Sequence, residues 1–565
     1  MTFASRISSD VRNETDRMDW AEDRHVAQSA MSRYLLLGII GIVSLMQLEL
    51  ATAKSLNWDE FWHYGLLHKH YHGGPRQIFQ VPFAYLFGWV STLPGSAIDH
   101  VIVARLLTWP FFAWTAFMIA LGAQRFVNRQ IALLAALAYM TGGYTFSHGI
   151  ALRADPIAAA MLTSALVLGL HELRSKARWM LFLLLIGLAF VASIKSALYL
   201  PAFLALPFLG EGMQGLRMPH PRIIAIALAI FGIATFTAVL VTPDQLTAIC
   251  KGLYAAAERM FGGGILPESR YAVRAFSLAP FLSAAIVIAA FVIARNSKTP
   301  TPHRIGIALL MTPLASVLVY LNAYPYFYQF ILAPVVIGAS IGIEALVRRF
   351  GLHLTAAAFL ANAAAVWIAE DRKVIENQRR FQQIATGLIG EEAKYIDNAG
   401  VLAPYPRAVD QYWSGWALES YRNVGRPIIR EAIARETVPM VIVNTPALLN
   451  AFAPSDDRKG LLPADRAILQ TNYIHARGPF YLAGKFIAPG DRERIVDINI
   501  PGPYRIENAA ISIDGYLYSP GEVVDLARGE HLVVPDRRKV SVLRWGNGSE
   551  VASGDINGMT VFTDY

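Results

Sequence analysis

The sequence predicts an α-helical polytopic membrane protein with about eleven transmembrane helices, followed by a soluble C-terminal α+β domain that ends in a small β-sandwich. Of the 565 residues, 54% are hydrophobic and only 16% are charged, whereas soluble globular proteins carry about 25% charged residues. Residues 34–369 contain nearly all of the long apolar segments, and residues 370–565 have the composition of a soluble protein. This change marks the main predicted domain boundary.

A transmembrane helix needs about 20 mostly apolar residues. Segments 179–194 and 196–210 are short, and we interpret them as two crossings because the basic clusters on either side then lie on one side of the membrane. The predicted spans are 34–53, 104–123, 130–148, 156–170, 179–194, 196–210, 223–241, 275–294, 305–321, 327–346 and 353–369.

The distribution of basic residues predicts the orientation. The net charge of +8 is found largely in short loops, whereas a nucleic-acid-binding protein would concentrate it in one patch, so we expect no nucleic-acid partner. Basic loops face the cytoplasm, and residues 1–33 contain no cleavable signal, so we expect a cytoplasmic tail and a signal anchor. An odd number of spans then places residues 370–565 in the periplasm, outside the inner (plasma) membrane. One miscounted helix would move this domain to the cytoplasm.

Two adjacent acids follow the first predicted span. Asp59 and Glu60 lie among Trp58, Phe61 and Trp62, and aromatic side chains are typical of a membrane surface. A partly desolvated carboxylate becomes more basic, which suits a general base that acts on a hydroxyl. The alternative is a solvated acidic pair that opens a surface helix.

The outer short loops contain two basic exceptions, Arg153 and Lys195. Both side chains could simply reach the lipid headgroups, and the alternative is a functional role. Asp155 and Pro156 follow Arg153, and they suit the N-cap and first turn of the next helix. Capping is a complete structural explanation of Asp155 and a functional role is the alternative, whereas capping does not explain Arg153.

The remaining outer features are aromatic residues and histidines. Tyr326 and Tyr328 lie in an uncharged turn, where they could form an interfacial belt or a floor for a sugar or lipid phosphate. His63 belongs to a histidine-rich loop, but no acidic partner has metal-ligand spacing. Cys250 is the single cysteine, so no multi-cysteine metal site exists. We therefore predict neither a metal nor a cofactor.

In their order and side of the membrane, these motifs resemble the GT-C superfamily of membrane glycosyltransferases, and within it the protein O-mannosyltransferases and the lipid A aminoarabinose transferase. The similarity covers roughly residues 34–346. It rests on Asp59-Glu60, Gly73-Gly74-Pro75 to Leu86, Ala104-Arg105-Leu106, Arg153-Ala-Asp155-Pro156, and Tyr326-Phe-Tyr328 to Pro334. Members of the family often have a more proline-rich stretch where this chain has Gln77 to Pro82.

The resemblance implies a sugar donor linked to a polyprenyl phosphate and an inverting single displacement. It implies that Asp59 is the base, that Glu60 assists or orients it, and that Asp155 is a second acidic residue in the site. It further implies that Arg153 and Lys195 stabilise the leaving phosphate. The other implied substrate-binding residues are Tyr326, Tyr328 and His63.

Residues 371–398 show helical periodicity, and 438–444 have the pattern of a buried strand. From about Pro479 onward, short strands and turns predict a small β-sandwich. We expect this domain to be structural, packing over the outer loops or binding an envelope polymer, and its sequence contains no evident catalytic set.

The favoured hypothesis is a glycosyltransferase whose partners are a polyprenyl-phosphate sugar, an envelope glycan, lipid or protein acceptor, and membrane lipids. The alternatives are a transporter or flippase, which would show ionisable residues inside its spans, and a scaffold that presents the C-terminal domain. The sequence leaves the sugar and the acceptor open.

Overall fold

The structure is a computed structural model. It describes residues 31–73, 81–171, 175–209, 264–295, 299–390, 393–403, 405–413, 415–453, 460–546 and 560–562. The predicted span 223–241, most of the predicted tail 1–33, and the basic residues Arg174, Arg217, Arg222 and Lys298 lie outside these described residues.

The N-terminal two thirds of the described chain is helical. Its helices are α1 Met31–Ala53, α2 Trp58–Tyr71, α3 Val81–Phe87, α4 Ala97–Ala123, α5 Arg129–Met140, α6 Tyr144–His148, α7 Asp155–His171, α8 Lys176–Ala192, α9 Leu200–Leu204, α10 Leu206–Leu209, α11 Ser269–Leu278, α12 Pro280–Arg295, α13 Thr301–Met311, α14 Pro325–Phe350, α15 Leu352–Ala369 and α16 Lys373–Ile389. Short 3₁₀ segments connect some of them, at Gly88–Thr92, Ile194–Tyr199 and Thr312–Leu318.

Four helices in the described residues are long and apolar enough to cross a membrane: Met31–Ala53, Ala97–Ala123, Pro325–Phe350 and Leu352–Ile389, the last joining α15 to α16. A fifth span is possible if α11 and α12, which meet at a 97° bend, are counted as one. The protein is therefore a multi-pass membrane protein. The count of eleven spans stays a prediction, although each of the other ten predicted segments overlaps helical structure.

Helix α14 lies at the centre of the helical region and packs against α4, α5, α7, α12 and α13. In its most apolar 18-residue segment, 72% of the residues are buried. Gly342 permits its close contact with α12, because an added Cβ would lie 2.0 Å from the backbone oxygen of Ala285. Such close backbone approach is a usual reason for a small residue between membrane helices.

The C-terminal region is strand-rich. Its helices are α17 Gly415–Val424, α18 Ile428–Arg435, α19 Pro446–Phe452 and α20 Pro463–Asn472. Its strands are β1 Tyr395–Ile396, β2 Met440–Ile442, β3 Tyr473–Arg477, β4 Phe480–Ile487, β5 Arg494–Ile498, β6 Gly502–Glu507, β7 Ile511–Ile513, β8 Tyr516–Tyr518, β9 Val523–Leu526, β10 Gly529–Val534 and β11 Ser541–Trp545.

These strands form two sheets. One has seven strands in the order β1-β2-β4-β11-β6-β9, with β3 also paired to β4, and the other has four in the order β5-β10-β7-β8. All strand pairs are antiparallel except β1 with β2. Buried residues of both sheets belong to one hydrophobic cluster, for example Leu543 and Val533. The small β-sandwich stays a prediction.

Helix α2 and the C-terminal region share a hydrophobic core. Phe61 of α2 belongs to the same buried cluster as Phe480 of β4, and Trp58 stacks on Phe562 with ring centroids 4.0 Å apart. The amide of Gln378 in α16 bonds both the backbone N–H and the carbonyl of Leu56, at 2.9 and 2.8 Å. The start of α2 is thus held between the membrane helices and the C-terminal region.

Candidate active site

The site is built at the N-terminus of α2. Asn57 caps this helix, accepting a hydrogen bond from the Glu60 N–H at 3.0 Å, and Glu60 reciprocates by accepting from the Asn57 N–H at 3.1 Å. Successive residues of a helix point about 100° apart. Asp59 and Glu60 consequently face different surroundings, although they are adjacent in the sequence.

Glu60 faces inward and is fully buried beside Arg105 of α4. Arg105 donates to both carboxylate oxygens, at 2.7 and 2.5 Å, and the Leu152 N–H donates a further bond at 3.0 Å. Burial raises the pKa of a carboxyl, but the charge and hydrogen bonds of Arg105 hold the pKa of Glu60 below its ordinary value. Glu60 therefore stays ionised and anchors the loop that precedes Arg153.

Asp59 belongs to a cluster of four charges formed by the start of α2, the start of α7 with the loop before it, and the 3₁₀ segment after α8. Arg153 donates to Asp59 at 2.5 Å and to Asp155 at 3.0 Å. Lys195 donates to both oxygens of Asp155, at 2.9 and 3.0 Å. Asp155 is the first residue of α7, where the helix dipole also favours a negative charge. Two acids and two bases thus form one connected, electrically balanced group.

Tyr326, the second residue of α14, packs its ring against the two cations of this cluster. The guanidinium carbon of Arg153 lies 3.3 Å from the centre of its ring, and the Lys195 ammonium lies 5.0 Å from it. This cation–π geometry adds to the attraction that holds Arg153 in place.

A cavity of about 790 Å³ opens beside the cluster. Its wall contains Asp59, Arg153 and Tyr326, and its volume is typical of a site for a small-molecule substrate or a lipid headgroup. Its other lining residues come from α2, the start of α11, the loop before α14 and the C-terminal region: Trp62, Arg270, Tyr271, Leu321, Asn322, Tyr324, Asp410, Gln411, Tyr412, Ala417, Ser420, Tyr421, Val424, Arg426 and Ile428.

His63 follows Asp59 by one turn and is buried. Its ring contacts Phe83 edge-on at 5.6 Å, and its Nδ1 atom has no hydrogen-bond partner within the described chain. Burial and the positive charge of Arg153 lower the pKa of His63 to about 4. The ring is therefore neutral at physiological pH.

Tyr328 lies apart from the cluster. Two helix positions after Tyr326, it points away and packs on Tyr144, with ring centroids 5.4 Å apart. Within the described ranges, no group of three or more histidine, cysteine or acidic side chains could hold a metal ion.

Sequence reasoning assigned no role to three elements of this site. Arg105 is the second residue of the motif Ala104-Arg105-Leu106 in the resemblance, but the sequence does not show that it pairs with Glu60. Trp62 appears only as an interfacial aromatic residue. The segment Asp410–Tyr412 belongs to the domain in which we expected no catalytic residues. An acidic residue close to an aromatic residue is too common a sequence pattern to identify this segment as part of a site.

The similarity of this chain to the solved structures described next supports a GT-C-like fold. The resemblance predicted from the motifs is therefore confirmed at the level of the fold. Among solved structures, ArnT from Cupriavidus metallidurans bound to undecaprenyl phosphate is similar over 80% of this chain and 97% of its own, with 12% identity and a TM-score of 0.56. The apo state of the same protein matches over 75% of this chain and 95% of its own, with 12% identity and a TM-score of 0.51.

No family profile matches the sequence. No curated protein matches it either.

Proposed function

We propose that this protein is a membrane glycosyltransferase. In this proposal it transfers a sugar from a polyprenyl-phosphate-linked donor to a hydroxyl of a cell-envelope acceptor, with inversion at the anomeric carbon. The fold it shares with a protein that binds undecaprenyl phosphate supports the donor class. The observation that carries the proposal is that Asp59 and Arg153 contact each other in the wall of one cavity.

The charges of the cluster suit this reaction. The donor is a phosphodiester with one negative charge, and the leaving polyprenyl phosphate carries two. As the acceptor oxygen attacks the anomeric carbon, its proton passes to Asp59 and the bond between that carbon and the phosphate oxygen breaks. Asp59 thus loses a negative charge while the phosphate gains one, so Arg153 can exchange one anionic partner for the other.

The other residues have supporting roles in this proposal. Lys195 adds a second cation for the leaving phosphate, and Asp155 fixes both cations. Tyr326 packs against Arg153, and His63 is buried one turn after Asp59, against Phe83 and outside the cavity lining, so it supports the site rather than binding substrate. Glu60 is a positioning residue, since it is fully buried and bonds Arg105 rather than lining the cavity. Tyr328 lies outside the cluster and packs against its neighbours.

We also propose the location of the site. The distribution of basic loops favours the inner membrane, with residues 1–33 in the cytoplasm, residues 34–369 as the membrane domain, and residues 370–565 in the periplasm. The active site then opens to the outer leaflet. The similarities of fold give no support to a transporter or flippase.

The proposal is tested with purified protein in nanodiscs and radiolabelled undecaprenyl-phosphate-linked mannose, glucose, galactose or aminoarabinose, each with the envelope fraction of the producing organism. We expect transfer with one donor, and a decrease of about 10²–10⁴-fold in Asp59→Asn, the range for loss of a general base. Asp491→Asn, an exposed acid far along the C-terminal region, is the control. Transfer by Asp59→Asn at the wild-type rate would exclude Asp59 as the base.

A further inference from the structure

The C-terminal region forms one side of the cavity. It contributes, among others, Asp410, Gln411 and Tyr412 to the same lining as Asp59 and Trp62 of α2. Of the two cations assigned to the donor phosphate, Arg153 lines this cavity and Lys195 is bonded to Asp155 beside it. With the donor phosphate assigned to Arg153, the lining residues of the C-terminal region remain available to an acceptor.

Trp62 and Tyr412 form an aromatic pair in the wall of the cavity. Trp62 follows Asp59 by three residues, so both lie on the same side of one helical turn. The rings of Trp62 and Tyr412 meet edge to face, with centroids 5.5 Å apart. A group held against this pair lies next to the carboxylate of Asp59.

The chain around Tyr412 is held in place. Arg407 lies over the Trp62 ring at 5.4 Å, bonds Asp397 at 2.8 Å, and donates to the backbone oxygen of Gln411 at 2.7 Å. Asp410 forms an ion pair with Lys69 of α2. The wall is thus tied to α2 through the residues that precede Tyr412, and a preformed wall is typical of a binding site.

The chemistry of this wall is mixed. Aromatic rings alternate with carboxylate, amide, hydroxyl and guanidinium groups, at Tyr412, Tyr421, Asp410, Gln411, Ser420 and Arg426. Sugars present C–H faces that pack on aromatic rings and hydroxyls that bond such polar groups. An acyl chain would instead need a continuous aliphatic groove, which this mixed lining does not offer.

We propose that Trp62 and the segment Asp410–Tyr412 form an acceptor subsite for a saccharide, either free or carried on a lipid. The acceptor ring lies against Trp62 and Tyr412 and presents a hydroxyl to Asp59. This inference rests on the proposed function, because it names the acceptor class of the same site. It gives the C-terminal region a part in substrate recognition.

The first experiment identifies the product. Radiolabel transferred by the wild-type protein from an undecaprenyl-phosphate-linked sugar to the envelope fraction is sorted by protease treatment, by mild alkaline deacylation and by chromatography of water-soluble oligosaccharides. We expect the label in oligosaccharide after deacylation. Label released by protease, or label in a glycerolipid headgroup, would overturn the inference while leaving the glycosyltransferase proposal standing.

The second experiment tests the residues. We expect Tyr412→Ala and Trp62→Ala to raise the acceptor KM about tenfold each, with unchanged affinity for undecaprenyl phosphate, while Tyr412→Phe retains most of the affinity. Tyr516→Ala and Trp89→Ala, which change exposed rings elsewhere, control for general damage. An unchanged acceptor KM in both cavity variants would refute the subsite. Wild-type protein that transfers no sugar at all would instead refute the proposed function.

Discussion

The buried pair of Glu60 and Arg105 gives the sharpest prediction about how the site is held together. The Glu60 side chain is fully buried, and that of Arg105 is 4% exposed. Arg105 also donates to the backbone oxygens of Lys54 and Ser55, at 2.7 and 2.9 Å. One guanidinium therefore joins α4 to the end of α1 and the start of α2.

Arg105→Met removes the cation and leaves a buried carboxylate with only backbone N–H donors. Breaking such a pair costs about 3–5 kcal/mol of unfolding free energy. Glu60→Gln leaves a buried guanidinium and falls in the same range. The double variant Glu60→Gln/Arg105→Met costs less than the sum, by up to about 3 kcal/mol, because each single change strands a charge that the double change removes. SDS titration in mixed micelles measures these free energies.

Arg348→Met is the matched control. Arg348 pairs with Glu344, which lies one helical turn before it in α14, and the Arg348 side chain is 76% exposed. We expect this change to cost less than about 1 kcal/mol. A cost for Arg105→Met as small as that of the control, or full additivity of the two single changes, would refute the account of Glu60 as an anchored positioning residue.

Two further predictions concern the cluster. Lys195→Met should lower turnover about 10²–10³-fold, because it removes one of the two cations from the leaving phosphate. Single-turnover transfer measures the rate, with Lys373→Met as the control. An unchanged rate would contradict the role of Lys195 in stabilising the phosphate. The pKa of His63 is about 4 in the folded protein against an ordinary value of 6.5. As the pH falls from 6.5 towards 4, the unfolded chain binds a proton at His63 and the folded protein does not, so the free energy of unfolding decreases over this range. His63→Asn should flatten the pH dependence of unfolding in that window, and an unaltered slope would show that His63 is not buried neutral.

Much of the fold was accessible from the sequence because lipid imposes a simple rule on it. Every backbone group in the bilayer must be bonded within the chain, so long apolar segments predict helices directly. The order of motifs then predicted the GT-C-like fold. The number of crossings was harder, because helices such as Arg129–Met140 are shorter than a full span and their apolar segments run on into turns.

Site residues could be predicted only where a residue type is unusual for its predicted position in the membrane topology. Arg153 and Lys195 were identifiable as cations on the side where cations are avoided, and the structure brings them together with Asp59 and Asp155. Pairings that depend on distant contacts were not accessible, such as that between Glu60 and Arg105. The adjacent acids Asp59 and Glu60 look equivalent in the sequence, and only the direction of each side chain separates them.

In the proposed mechanism, Arg153 and Lys195 receive the phosphate of a polyprenyl carrier beside Asp59. A cryo-electron microscopy structure of the protein with undecaprenyl phosphate tests it most directly. We expect phosphate oxygens within hydrogen-bonding distance of both cations, with the Asp59–Arg153 contact lengthened. A phosphate bound at another place, with Arg153 still held between Asp59 and Asp155, would contradict the mechanism.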